Sequence, residues 1–298
     1  KKALARVTAK PALGFLFGML VTCMIQSSTA TIVLTVGLVG AGFLTFRQSV
    51  GIVLGANVGP AITAQIIRLM DIETSGGSIL TFFKPDTLAP IALIAGIILF
   101  MFLKKGASKN VGMICLGFGI LFIGLNLMTD GVKPLIGTSA FEYFIRFLEN
   151  PFFGIGFGLV LTVIVQSSSA TVGMLQTVAT ATAAAVAAGE GGTMITFSMA
   201  YPVIMGINLG TCVTTAMVCS IGSSKDAKRT GVVHIAFNTI GTILFLVVML
   251  LMEKFNVLGA DFWNKAVDSG GIANFQTIFN LVTAIVLIPF SGLLVKLS

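Results

Sequence analysis

Gln26, Ser27, Ser28 and Thr29 follow one another inside the apolar run "MIQSSTATIVL" at 24–34, and Gln166, Ser167, Ser168 and Ser169 do the same in "VIVQSSSATVGML" at 163–175. Neither tetrad carries charge, yet each is dense in hydrogen-bonding groups. A chain break at membrane depth frees backbone N–H groups, and such backbone survives only inside protein or beside water. Ser and Thr are good N-caps for a helix that restarts after a break. The freed N–H groups and the positive helix end then favour an anion. A Ser hydroxyl donates to an anion or accepts a cation, and a Gln carbonyl suits a hard cation such as Na⁺.

A second polar motif follows each tetrad. "VLGANVGPAIT" at 53–63 matches "IMGINLGTCVT" at 204–214 with a shift of 151, so Gly55, Asn57, Gly59 and Thr63 fall on Gly206, Asn208, Gly210 and Thr214. The glycines permit close approach, and Asn57 and Asn208 offer carbonyl ligands of the kind broken membrane helices give to coupling ions. The tetrads themselves superimpose at a shift of 140. There, nine of the eighteen columns from 14 to 31 are identical, Gly14/Gly154, Gly18/Gly158 and Thr22/Thr162 among them. Matches of Gln, Ser, Thr and Gly in an apolar background mark an internal repeat. The difference in shift places an insertion in the second copy, around 179–192.

These motifs must be held by elements that cross a bilayer. The 298 residues are 56% hydrophobic and 10% charged, against about 25% charged in soluble domains. Mean hydropathy is +1.02. The fold class is an all-α integral membrane protein, and a β-barrel would show short alternating segments instead. The net charge of +7 does not point to nucleic acid, because the basic residues cluster in short loops: Lys1, Lys2, Arg6 and Lys10; Lys104, Lys105 and Lys109; Lys225, Lys228 and Arg229. Short basic loops mark the cytoplasmic side. The loops holding Asp71, Glu73, Lys84 and Asp86, and Glu253, Lys254, Asp261, Lys265 and Asp268, are then outside.

Segments 11–25 and 29–44 are short for crossings and are divided by the first tetrad. They read as a re-entrant hairpin, as do 152–165 and 169–187. Full crossings are expected at 50–70, 88–103, 111–129, 193–221, 231–252 and 272–296. Three crossings separate the hairpins, and an odd number turns the second copy over. The expectation is two inverted-topology repeats, each a re-entrant helical hairpin plus about three transmembrane helices, as in many secondary transporters. The first covers 1–133 with its hairpin at 11–44, and the second covers 134–298 with its hairpin at 152–187. Both termini fall in the cytoplasm, with the chain in the plasma membrane. The chain opens at Lys1 without Met, so its start is expected to be incomplete, and no signal-peptide pattern is present.

His234, the only histidine, precedes Asn238 by one turn and reads as a hydrogen-bonded structural residue, with pH sensitivity as the alternative. Cys23, Cys115, Cys212 and Cys219 read as buried free thiols. An intramembrane serine hydrolase on Ser168 and His234 is a remote third reading; it needs one nucleophile, not a duplicated tetrad. No Lys or Arg stands mid-span, so an anion carried here needs bound cations and helix ends to neutralise it.

"QSSTAT" with "GANVGPAIT", and "QSSSAT" with "YPVIMGINLGTCVT" and "HIAFN", make the chain similar to the type II sodium-dependent inorganic phosphate cotransporters and their bacterial relatives. The resemblance covers about 11–70 and 150–245. It implies Na⁺-coupled symport of inorganic phosphate by an elevator or rocking movement about a midplane site, without enzyme activity or an organic cofactor. Carried over, the phosphate site falls on Gln26, Ser27, Ser28, Thr29, Gln166, Ser167, Ser168, Ser169, Asn57 and Asn208. Na⁺ falls on Gln26, Ser28, Thr63, Gln166, Ser167, Asn208 and Thr214. The partners implied are phosphate, Na⁺ and the lipid bilayer, with no nucleic acid; a homodimer is one option. Symport of another small oxyanion with Na⁺ or H⁺ is the alternative. Pro60 stands where the second copy has Thr211, so the first copy lacks one hydroxyl, and it has no clear counterpart of "HIAFN".

Overall fold

The computed structural model of the chain describes residues 8–71, 85–103, 106–220 and 224–298. Of the charges used to orient the chain, Lys1, Lys2, Arg6, Glu73, Lys84, Lys104 and Lys105 lie outside the described residues. Helices follow one another throughout: α1 Pro11–Ile25, α2 Ser28–Gly40, α3 Phe46–Val58, α4 Ala61–Ile67, α5 Pro85–Phe102, α6 Gly106–Val132, α7 Ser139–Phe147, α8 Pro151–Val165, α9 Ser168–Ala187, α10 Phe197–Ser220, α11 Lys225–Lys254, α12 Ala260–Asn264, α13 Ser269–Leu287 and α14 Ser291–Leu297. Among the described residues, six stretches are long and apolar enough to cross a bilayer: Phe46–Ile67, Gly106–Leu135, Ser168–Ala187, Phe197–Ser220, Lys225–Lys254 and Ser269–Leu287. The protein is an all-α, multi-pass membrane protein.

Local chemistry sets the ends. Thr45 caps α3 through a full capping box with Gln48, Ser224 caps α11 and Asp268 caps α13, each satisfying N–H groups the helix leaves free. The span expected at 50–70 is two helices, because Pro60 brings no N–H and cannot continue the ladder. Thr211 holds that position in the second copy, and α10 runs through it unbroken over 24 residues. The span expected at 272–296 is likewise divided at Pro289 into α13 and α14.

The two hairpin arms expected to return from the tetrads differ. The first, α2, has 13 residues, about 20 Å at 1.5 Å per residue and too short for a hydrocarbon core of about 30 Å. The second, α9, has 20 and is not short. The sequence reading also missed α7, whose aromatic and charged residues make it strongly amphipathic. It meets α8 at a bend of 107°, with Tyr143, Phe144 and Phe147 exposed, as suits a helix lying in the interface.

Glycine brings α1 onto α3 and α8 onto α10. A Cβ on Gly18 would overlap the carbonyl oxygen of Ile52, and one on Gly55 would overlap that of Phe15. The second copy repeats the pattern, Gly158 on Val203 and Gly206 on Ile155. No side chain fits where backbone meets backbone at that spacing. The apolar cores lie on either side: Tyr201, Ile204, Phe275 and Phe279 in one, and Phe15, Ile32, Leu54 and Phe237 in the other. Ile94, Phe102, Ile114, Ile120 and Leu127 of the α5–α6 pair are exposed, the outer surface a bilayer would cover.

Candidate functional site

Gln26 ends α1 in the left-handed well at φ 59, ψ 23, and Gln166 ends α8 at φ 61, ψ 17. Each Gln backbone N–H donates to a Thr carbonyl, Thr22 or Thr162. Each side-chain amide folds back, Gln26 Nε2 onto Cys23 O at 2.6 Å and Gln166 Nε2 onto Val163 O at 2.5 Å. Ser27 and Ser167 are extended N-caps, their Oγ atoms accepting from Ala30 N at 3.1 Å and Ala170 N at 3.2 Å. The N–H groups of Ser28, Thr29, Ser168 and Ser169 sit in the first turns, where no intrahelical partner exists. The tetrads are therefore helix–break–helix tips with matching backbone.

The tips face one another across a cavity of about 240 Å³, lined by Gln26, Ser27, Ser28, Thr29, Gln166, Ser167, Ser168 and Ser169 together with Thr162, Thr211 and Thr214. Among the described residues, no charged side chain lines it. Its size suits a small inorganic ion; sites for larger organic ligands run to about 300–1,000 Å³. The starts of α2 and α9 each bring roughly half a positive charge. Thr29 Oγ1 lies 3.4 Å from Thr214 Oγ1, joining the first tip to α10. Of the remaining expected ligands, Thr63 does not line the cavity, and its hydroxyl donates to Gln26 Oε1. Thr214, its counterpart, donates to Thr211 O at 2.9 Å.

Asn57 and Asn208 stand behind the cavity and do not line it. Each is about 5% exposed, and each donates to its own helix, Asn57 to Val53 O at 2.9 Å and Asn208 to Ile204 O at 2.8 Å. Asn238 Nδ2 reaches Asn57 Oδ1 at 3.3 Å and His234 Nε2 at 3.0 Å. Asn208 exchanges amide bonds with Gln276 and accepts from Asn280 at 3.4 Å. Gln176 Nε2 donates to Ser269 Oγ at 2.7 Å and to Ala64 O at 3.1 Å. His234 is fully buried in this network, and Thr211 Oγ1 lies 3.5 Å from its Nε2. Its Nε2 is thus hydrogen-bonded, while its buried Nδ1 has no partner among the described residues.

The expected ligand set did not include Thr162, although it repeats Thr22, or Thr211, noted only as the hydroxyl that Pro60 lacks in the first copy. Gln276, Asn280 and Gln176 gave a weaker signal, amides in apolar helices outside any repeated motif. The four cysteines are free thiols, with Cys23 and Cys115 only partly buried.

A family model described as Na⁺/Pi-cotransporter matches residues 1–130 and again 123–260. The uncharacterized protein YqeW of Bacillus subtilis is 29% identical over 97% of this chain and 84% of its own length. The putative inorganic phosphate export protein YjbB of Escherichia coli is 26% identical over 97% of this chain but 48% of its own length. This chain thus spans about half of that relative. The human sodium-dependent phosphate transport protein 2B is 38% identical over 66 residues, 22% of this chain and 10% of its own length. No solved structure matches the chain.

Proposed function

The chain belongs to the Na⁺/Pi-cotransporter family, a family of transporters and not of enzymes, and we propose that it carries inorganic phosphate together with Na⁺ across the plasma membrane. The observation that carries this reading is the cavity in which two uncharged Gln-Ser-Ser tips meet. Two helix starts supply about one positive charge between them. A doubly charged phosphate would leave about one negative charge uncompensated, and among the described residues no Lys or Arg lines the cavity to meet it. A co-bound Na⁺ supplies the difference, so coupling follows from electrostatics rather than from an added pump.

In this reading the eight tip residues bind the anion, and Gln26, Ser28, Gln166, Ser167 and Thr214 give oxygens to Na⁺. Asn57 and Asn208 hold the helices behind the tips, with Thr63 fixing the Gln26 carbonyl. The two halves are inverted repeats, both termini are cytoplasmic, and the tips open to each side in turn by alternating access. The matching tips and glycine contacts at shifts of 140 and 151 support the repeat.

The test is radiolabelled phosphate flux in proteoliposomes, with a Na⁺ gradient against an equal K⁺ gradient. Flux with Na⁺ alone is expected, and a potential set by valinomycin then reads whether net charge moves, each charge being worth about 2.3 kcal/mol per 100 mV. Equal flux in Na⁺ and K⁺ would sink the coupling. A second reading, phosphate export, is favoured by the similarity to the E. coli phosphate export protein YjbB. Vesicles loaded with phosphate and given the gradient in each direction separate the two.

A further inference from the structure

A second space adjoins the tips. A groove of about 780 Å³ shares Gln26, Ser167 and Ser169 with the tip-to-tip cavity. It lies between α6 on one side and α4 and α9 on the other. Thr63 is the one further polar side chain in its lining among the described residues, and the rest is apolar. The space is therefore polar where it meets the tips and greasy elsewhere.

The α6 wall is one face of a helix. Ile114, Phe118, Leu121, Leu125 and Met128 line it, at i, i+4, i+7, i+11 and i+14. Over that interval α6 rises about 21 Å at 1.5 Å per residue. The glycines of α6 fall into two groups. Gly112 packs against the backbone of Gly96 and Phe100, and Gly119 against Leu93, so both serve the contact with α5. Gly117 and Gly124 lie in the groove lining, and a Cβ on either would meet nothing within 4 Å. Ile114, Ile120 and Leu121 of the same lining are exposed. This wall is thus open where the other face of α6 is closed by packing.

An inorganic ion of phosphate size is accommodated by the 240 Å³ between the tips and makes no use of the groove. A space of about 780 Å³ falls in the range of sites for organic ligands, about 300–1,000 Å³. Its polarity matches a molecule with an oxyanion at one end and a single apolar chain behind it. We propose that the groove is a tail site, and that the protein binds single-chain alkyl phosphates and alkylphosphonates with the oxyanion head at the tips and the chain along α6. The proposal rests on the phosphate reading above and extends that site to a second class of ligand. The head uses the donors that hold the free ion, and the chain gains affinity by leaving water. A chain lodged between α6 and the α4–α9 wall holds those elements apart, so the ligand blocks transport.

The experiment is inhibition of radiolabelled phosphate uptake by methyl-, butyl- and octylphosphonate, below micelle-forming concentrations, with the full chain in proteoliposomes. Inhibition should be competitive with phosphate and should tighten by about two- to fourfold per added methylene. Octyltrimethylammonium, with the same chain and a cationic head, should not inhibit. Gly117→Leu and Gly124→Leu fill the groove at positions with room for a Cβ, and helix propensity favours both changes. In each, the KM for phosphate and inhibition by methylphosphonate should be unchanged, and octylphosphonate should weaken by about tenfold or more. Gly131→Leu is the control: its Cβ position is equally open, but it does not line the groove, and it should behave as the unaltered protein does. The proposal is overturned if inhibition does not strengthen with chain length. It is also overturned if all three leucine variants keep the full chain-length gain, since the chain would then lie in the bilayer. Thermal stabilisation of detergent-solubilised protein by the same phosphonates repeats the comparison without transport. A chain-length gain there that Gly124→Leu abolishes supports the tail site even where Na⁺-driven flux is absent, which overturns only the coupling. Octylphosphonate that inorganic phosphate fails to displace overturns the shared head site.

Discussion

The hydroxyls of Thr29 and Thr214 stand 3.4 Å apart although 185 residues separate them along the chain. One belongs to the first tip and the other to the crossing helix of the second half. The pair is a side-chain contact across the cavity between the two halves, and it closes one wall of the space where an ion would sit.

Bridging this pair should arrest transport. With Cys23, Cys115, Cys212 and Cys219 first replaced by Ala or Ser, Thr29→Cys with Thr214→Cys is expected to cross-link under mild oxidation. The bridge would show as two halves held together after protease cleavage between them. Phosphate flux should stop on oxidation and return on reduction. Unchanged flux in the bridged protein would mean that the tip need not part from α10.

Thr22 and Thr162 should respond oppositely to valine. Thr22→Val removes a buried hydrogen bond to Thr31 and should cost about 0.5–1.5 kcal/mol. Thr162→Val removes a hydroxyl that has no partner, so the fold should be unchanged or stabilised by up to about 1 kcal/mol. Phosphate affinity should fall in Thr162→Val. Thermal unfolding in detergent reads the first quantity, and a phosphate titration of the same samples reads the second.

The glycine contacts should tolerate no side chain. Gly55→Ala and Gly206→Ala push a Cβ into a backbone carbonyl, of Phe15 and Ile155 respectively, and neither neighbour has a rotamer to give. Each should cost about 3 kcal/mol or more, the upper end of overpacking, and show as reduced yield of folded protein. Gly37→Ala meets nothing within 4 Å and should gain up to about 1 kcal/mol from helix propensity. Size-exclusion profiles and melting curves of the three variants check this; equal melting points would show that the seams yield.

The tip glutamines separate backbone from side chain. Both hold positive φ, a conformation that costs an ordinary L-residue about 1–2 kcal/mol. Gln26→Gly and Gln166→Gly should therefore fold within about 1 kcal/mol of the unaltered protein, while transport is lost. Gln26→Val should destabilise as well, since a branched side chain resists that well. A melting point that falls as far in the glycine variant as in the valine one would show the side-chain bond to Cys23 to be the dominant effect.

What was legible in the sequence was whatever recurred. Gln26-Ser27-Ser28 and Gln166-Ser167-Ser168 take the same backbone because the local forces on them are the same: an apolar arm, an αL stop, a serine cap. The glycine contacts were visible for the same reason, as paired columns. The helix α7 was not visible, because its period is short and lies where a loop between spans was expected. The partners of Asn208 were not visible either. Gln276 and Asn280 sit in an ordinary apolar helix, and nothing local says that they face α10 rather than lipid. Pro60 was noticed as a missing hydroxyl, yet its larger effect is on the ladder, splitting one span into α3 and α4. Thr214 was legible as the repeat partner of Thr63, whereas Thr162 stood out only as the repeat of Thr22, and nothing local says that it lines a cavity.

The glycine seams have a kinematic consequence. Where carbonyl oxygen sits against Cα, as at Gly18 on Ile52 and Gly55 on Phe15, two helices cannot slide by a fraction of a turn without collision. α1 with α3, and α8 with α10, would therefore move together as rigid pairs. Any displacement of one half against the other would have to be taken up elsewhere, where side chain meets side chain, as at the tip-to-tip cavity.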